Sequence, residues 1–197
     1  MQKSGPNSPL SRFLRLDPFP LRLENCVGEP ELAGFVTPIL SANGLRFGPT
    51  IGRRLEANLR WLNDGGWSHV EDQFSVLSRI PRNAPDADPI RKERHAVRLV
   101  VMMMEGFGPK QARNLWQCMG VTRYEIPLDS RITKWLWALP NGLDIVPEGL
   151  QRPAYYEKIE SHIQRLCELA GAFPCEFDAA VFVSADEDEW PEDDVVW

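Results

Sequence analysis

Long apolar runs are missing from this sequence. The longest, Leu99 to Met104, is six residues, far short of the ~20 that a transmembrane helix needs. The N-terminus, MQKSGPNSPLSRFLRLDPFPLRL, carries no continuous apolar segment of the secretory kind, so a cytoplasmic location without a membrane partner is the expectation. The four cysteines, Cys26, Cys118, Cys167 and Cys175, form no CxxC pair, which argues against a zinc site or a disulfide scaffold. Four reduced, mostly buried thiols are expected instead. The three histidines, His69, His95 and His162, lie far apart and outside any HxE or HExxH context, so no metal is expected. His162 falls near the apolar face of its helix and reads as a core residue. Nothing matches GxxxxGK[ST], no strand-like alternation appears, and no repeat period emerges.

What remains is an ordinary globular composition. With 43% hydrophobic and 25% charged residues, seven Trp and nine Phe in 197 residues, the chain suffices for one well-packed domain or two small lobes. The net charge of −6 would oppose nucleic-acid binding if it were evenly spread. It is not: residues 186–194, DEDEWPEDD, hold seven acids and no base, leaving +1 on residues 1–185. Between Arg91 and Lys134 nine Lys/Arg face four Asp/Glu. A near-neutral body with a basic stretch suits a DNA-binding protein, and equally suits a solvated surface without a partner.

Three segments follow from composition. Residues 1–50, rich in Pro, Gly, Ser and Asn, read as an irregular arm bearing one or two short helices. Residues 51–185 read as a helical domain, and 186–197 as an acidic tail too charged to fold alone. That tail is either merely solvating or lies over the basic region, tethered by Trp190 or Trp197.

Within the domain the periodicity is helical throughout, so the class is all-α. Leu55, Leu59 and Leu62 recur at helical spacing and are expected to stop at Asp64-Gly65-Gly66. Val70, Phe74 and Leu77 repeat the pattern up to Pro81. Ile90 to Glu105 reads as a long helix whose second half, apolar all round, should be buried on most sides. After Gly106-Phe107-Gly108, Pro109 sits where a helix favours proline. Ala112, Leu115, Trp116 and Met119 then form a stripe that Gly120 ends. Asp129 is a good N-cap for a helix striped by Ile132, Trp135, Leu136 and Leu139. Two more helices are expected at 154–170 and 174–183.

The segment Leu99 to Gly120 is thus two helices joined by a glycine-bounded turn. Such a turn, feeding an uncapped helix start, presents free N–H groups to a phosphate. A GxG alone is more often a plain helix end. Here Lys110 lies in the first turn beyond it, and Asp129 follows nineteen residues later at the next helix start. A lysine freed of its proton can attack a sugar carbon and form an imine. A carboxylate held ionised by a helix N-terminus can stabilise positive charge on that sugar. Either residue alone has a bland explanation, a phosphate-binding cation or a helix cap; the pair at this spacing points to base excision.

Gly106-Phe107-Gly108-Pro109-Lys110-Gln111-Ala112 followed by Ile126-Pro127-Leu128-Asp129 resembles the helix-hairpin-helix and Gly/Pro-Asp motif of the 8-oxoguanine branch of DNA glycosylases. The likeness covers about residues 90–140 and runs more weakly to about 183, through Cys175-Glu176-Phe177-Asp178-Ala179-Ala180. It implies two helical lobes flanking a cleft, a monomer without cofactor, and duplex DNA with a modified base as partner. It further implies Lys110 as nucleophile, Asp129 as the charge-stabilising carboxylate, and strand scission by β-elimination as a second activity. Gly106, Phe107, Gly108, Arg113, Arg131 and Lys134 are the expected DNA contacts, with Asn114 and Trp137 at the base pocket. Trp116 and Trp135 fall on apolar stripes and read as core.

Two departures bear on the base: Asn114 stands four positions after the lysine, where a small or polarisable residue stacks in relatives, and Ser130-Arg131 replaces a Thr-His pair. An oxidised purine is the first expectation for the excised base. A hypermodified cytosine of phage DNA, which would make this a defence enzyme, stays open. So do a non-catalytic DNA-binding module and a helical interaction protein whose acidic tail docks a partner.

Overall fold

A computed structural model describes residues 8–81, 88–139 and 145–185. Every regular element among the described residues is helical. None of these helices is long and apolar enough to cross a membrane. The acidic tail lies outside the described residues. The chain divides into two compact units, one through Asp64 and one from Gly65 to Ala185.

The first unit contains α1 (Pro9–Leu14), α2 (Leu23–Val27), α3 (Leu32–Ala42) and α4 (Gly48–Trp61) around Phe13, Cys26, Leu32, Val36, Leu40 and Leu59. The expectation of an irregular arm over residues 1–50 is therefore corrected. Its prolines and glycines serve helices: Pro9 opens α1 behind a Ser8 cap, and Pro38 lies inside α3. Gly52 lets α3 and α4 touch, because a Cβ there would stand 2.9 Å from the Ala33 carbonyl oxygen. A boundary at residue 50 would cut through α4. Asp64-Gly65-Gly66 does not stop the helix either. Leu62–Gly66 forms a π-helical turn with Gly65 at φ +104°, and α5 (Trp67–Ser78) continues from it.

The second unit holds α5, α6 (Asp88–Met103), α7 (Pro109–Cys118), α8 (Ser130–Ala138), a 3₁₀ turn at Pro147–Gln151, α9 (Pro153–Ala170) and α10 (Pro174–Ala185). Leu77, Ala96, Val97, Val100, Ala112 and Trp116 pack where α5, α6 and α7 meet. A second cluster joins α8, α9 and α10 through Ile132, Leu136, Tyr156, Ile159, Ile163 and Val181. The helix starts and stops around Pro109, Gly120 and Asp129 fall where the sequence places them.

Three side-chain expectations fail in this unit. Met102 is 77% exposed and Met103 is exposed too, so the apolar end of α6 is not buried all round: α7 turns away after the glycines and covers only one side. Trp135 is 38% exposed, because α10 covers the edge of its indole through Phe177, with ring centroids 4.9 Å apart, and not its outer face. His162 is exposed, since its neighbour Ile163 takes the inward direction on α9.

Candidate functional site

Met104 to Gly108 links α6 to α7, and the turn depends on Gly106 at φ +82°, a conformation side chains disfavour. Gly108, extended at φ −82° and ψ −179°, is the N-cap of α7 and offers no side chain to its first turn. The first turn of α7, with Pro109 at its first position, therefore receives no side-chain cap. Phe107 is half-buried against the α6–α7 core and anchors the turn.

Helix α7 is two-faced. Ala112, Arg113 and Trp116 are buried, while Lys110, Asn114 and Gln117 are partly exposed at i, i+4 and i+7, one above the other on a single face. Lys110 thus opens a polar ladder on α7, one turn from Asn114.

Arg113 does not reach DNA; that expectation is corrected. The side chain is 2% exposed. Nε donates to Glu160 Oε1 at 2.8 Å, Nη2 to Glu160 Oε2 at 2.7 Å and to Glu125 Oε2, and Nη1 to the Pro109 carbonyl. Its guanidinium stacks over the Tyr156 ring, 4.2 Å from the centroid. Burial opposes the Arg113 charge, but Glu160 and Glu125 outweigh it and hold the group firmly protonated. Burial likewise pushes Glu160 well above the usual carboxyl range, with Glu125 adding to the push and Arg113 resisting it.

This buried network fixes the backbone that delivers Asp129. Glu93 accepts N–H bonds from Arg123, Tyr124 and Glu125 at 2.8 to 3.0 Å. Burial outweighs those three bonds and raises Glu93 to about 7. Glu160 also accepts from the Ile126 N–H at 2.8 Å, and Tyr156 Oη takes the Leu128 N–H while donating to the Ile126 carbonyl. Gln164 donates to the Tyr124 carbonyl. Every residue from Arg123 to Leu128 that owns an N–H is thereby held by a buried side chain; Pro127 owns none.

Asp129 closes this segment as the N-cap of α8, accepting N–H bonds from Arg131 at 2.8 Å and Ile132 at 3.1 Å. Arg131 folds back onto it, Nε to Oδ2 at 2.7 Å and Nη2 at 2.6 Å, with its guanidinium 4.0 Å from the Phe182 centroid. Burial opposes the Asp129 charge, but Arg131 and the Ile132 N–H prevail and keep the carboxyl below its usual range. Arg131, expected to reach a phosphate, is therefore the counter-ion of Asp129. Lys134 and Trp137 lie exposed on α8, three positions apart and so on one face.

The sequence reading missed Asp178 as a member of the site. It projects from α10 and accepts a hydrogen bond from Gln117 Nε2 at 2.9 Å. Asp129, Arg131 and Lys110 all lie within electrostatic range of it. Lys110, Arg131 and Asp129 thus all act on the charge of Asp178. Glu93 and Glu160 carried a detectable signal, since each is an acid on the apolar stripe of its helix, in line with Val97 and Val100 or with Tyr156, Ile163 and Cys167. Glu125 carried none.

A cavity of about 220 Å³ lies behind the Arg123–Leu128 segment, lined by Leu77, Ile80, Glu93, Val121, Arg123 and Tyr124. Neither Lys110 nor Asp129 lines it. No group of three His, Cys, Asp or Glu among the described residues is arranged to hold a metal ion. Comparison with protein families, curated proteins and solved structures gives no match to the chain.

Proposed function

We propose that this protein is a DNA glycosylase of the helix-hairpin-helix type, with an associated lyase activity. The observation that carries the reading is the placement of Lys110, in the first turn of an uncapped helix behind a glycine turn, and of Asp129, a helix cap locked by a buried polar scaffold, both within electrostatic range of Asp178. A phosphate seat, a positioned amine and a pinned carboxylate are the parts that excision of a base requires.

In this reading the α6–α7 turn grips the DNA backbone through Gly106, Phe107, Gly108 and the first-turn N–H groups, with Lys134 as a further phosphate contact. The target nucleotide leaves the stack and enters the site formed along α7 and the start of α8. The unprotonated Nζ of Lys110 gives its lone pair to C1′. The electron pair of the C1′–N bond leaves with the base, which takes a proton from water. One proton then moves from Nζ to the ring oxygen, the sugar opens, and a protonated imine joins Lys110 to C1′. Asp129 faces the positive charge that develops during these steps. Asn114, one turn beyond Lys110, and exposed Trp137 are the side chains offered to the flipped base.

The protein acts without a cofactor, as a monomer, on duplex DNA. Oxidised purines are the expected substrates. A panel of duplexes each carrying one modified base tests this: excision of an oxidised purine supports the reading. Activity confined to bulky modified cytosines assigns the same machinery to defence against phage, and no excision anywhere contradicts a glycosylase.

A further inference from the structure

Asp178 lies within electrostatic range of Lys110, Arg131 and Asp129, and the pairing among these four charges is unequal. Asp129 receives both Nε and Nη2 of Arg131 as well as two backbone N–H groups, so its charge is matched by a fixed cation. Asp178 instead accepts from a neutral amide, Gln117, two helical turns along α7 from Lys110. With Lys110 protonated, the cluster of Lys110, Arg131, Asp129 and Asp178 is electrically balanced. Once Lys110 sheds its proton in order to attack, one negative charge is left over. Since Arg131 is committed to Asp129, that charge resides on Asp178.

We infer that Asp178 is the second carboxylate of the site, supplying the unmatched negative charge that stabilises a cationic sugar or protonated imine at Lys110. The inference rests on the glycosylase reading above and adds to it a residue and a charge count. A charge of opposite sign in a partly desolvated site lowers the energy of a cation several ångströms away, without contact. The same desolvation raises Asp178 above the usual aspartate range; the Gln117 hydrogen bond resists, Asp129 adds to the rise, and Arg131 and Lys110 oppose it. Asp129 is shifted the other way. The two carboxylates therefore lose their charge in different pH ranges, Asp178 first as pH falls.

Borohydride trapping on a duplex with one abasic site reads this without knowledge of the excised base. Wild-type trapping should fall with decreasing pH, with a steeper segment where Asp178 takes up its proton. Asp178→Asn should trap roughly tenfold more slowly at pH 7 with duplex affinity unchanged, and its profile should lack the steeper acid segment. Gln117→Leu keeps the carboxylate but removes the bond that holds its pKa down, so the steep segment should move to higher pH. A merely structural tether between α7 and α10 moves neither feature. Trapping by Asp178→Asn with the wild-type rate and profile overturns the inference, as does a Gln117→Leu profile whose acid segment stays in place. Should Asp178→Asn fail to fold, the Gln117→Leu profile decides alone. If Lys110→Gln traps as wild type does, the glycosylase reading itself has failed, a result distinct from either of these.

Discussion

Replacing Arg113 with alanine separates a structural from a DNA-contacting role for the most basic-looking position in the α7 segment. The substitution removes four hydrogen bonds and leaves the buried Glu160 without its cation, facing a buried Glu125 that keeps Arg94. Breaking a buried ion pair from one side costs about 3–5 kcal/mol, because the remaining charge has lost its partner. In a unit running from Gly65 to Ala185, that corresponds to a fall in Tm of roughly 10–20 °C. The deficit should be larger at pH 8 than at pH 5. Glu160, already raised by burial, takes up a proton as pH falls and so escapes part of the penalty. Thermal melts followed by circular dichroism at the two pH values read both features. A salt series of duplex binding by fluorescence anisotropy, run below the variant's melting range, should give the wild-type slope. A phosphate contact would instead reduce the slope by about 0.9. A variant that melts within about 3 °C of wild type and shows the shallower slope refutes the buried-network account.

Asp129→Asn should leave a folded protein that binds duplex but excises at least ~100-fold more slowly in single-turnover assays; near-normal excision removes Asp129 from the mechanism. Gly106→Ala should cost about 1 kcal/mol of stability at φ +82° and weaken duplex binding severalfold. Gly108→Ala, at φ −82° with the flexible Gln111 and Gln151 amides at 3.3 and 4.0 Å, should cost little stability, and equal losses of stability at the two glycines would contradict the turn geometry. Glu93, raised to about 7 from 4.5, binds its proton more tightly in the folded state. Its contribution to stability is therefore full below the unfolded pKa and declines by up to roughly 3 kcal/mol as pH rises toward 7. Denaturant titrations of wild type against Glu93→Gln across that range should show the wild-type advantage shrinking with pH; a constant difference would count against the raised pKa.

The helices of the second unit were legible because each carries its own punctuation: Pro109 at a first position, Gly120 past an end, Asp129 as a cap. Their apolar stripes did the rest. The first unit was not legible, because Gly48, Gly52 and Pro38 look like loop composition when read along the chain. They are understood as close-packing and helix-internal residues only when α3 lies against α4. Lys110 and Asp129 were legible as helix-start residues, because Pro109 and Asp129 themselves mark where α7 and α8 begin. Arg113 and Arg131 were misread as phosphate contacts because charge alone does not reveal a partner. Glu125 and Glu160 lie twelve and forty-seven residues beyond Arg113, and neither separation fits a local helical pair. Asp178 lies sixty-one residues from Gln117, so its place against α7 depends on how α10 returns to that helix.

The amine of Lys110 is the group on which the proposed excision chemistry turns. Wild-type protein incubated with an abasic duplex and sodium borohydride should yield a stable covalent adduct, which mass spectrometry maps to Lys110. Lys110→Gln, whose amide cannot form an imine, should yield none while keeping the wild-type melting temperature. An adduct that persists in Lys110→Gln, or a wild-type protein that neither traps nor excises, would contradict that chemistry.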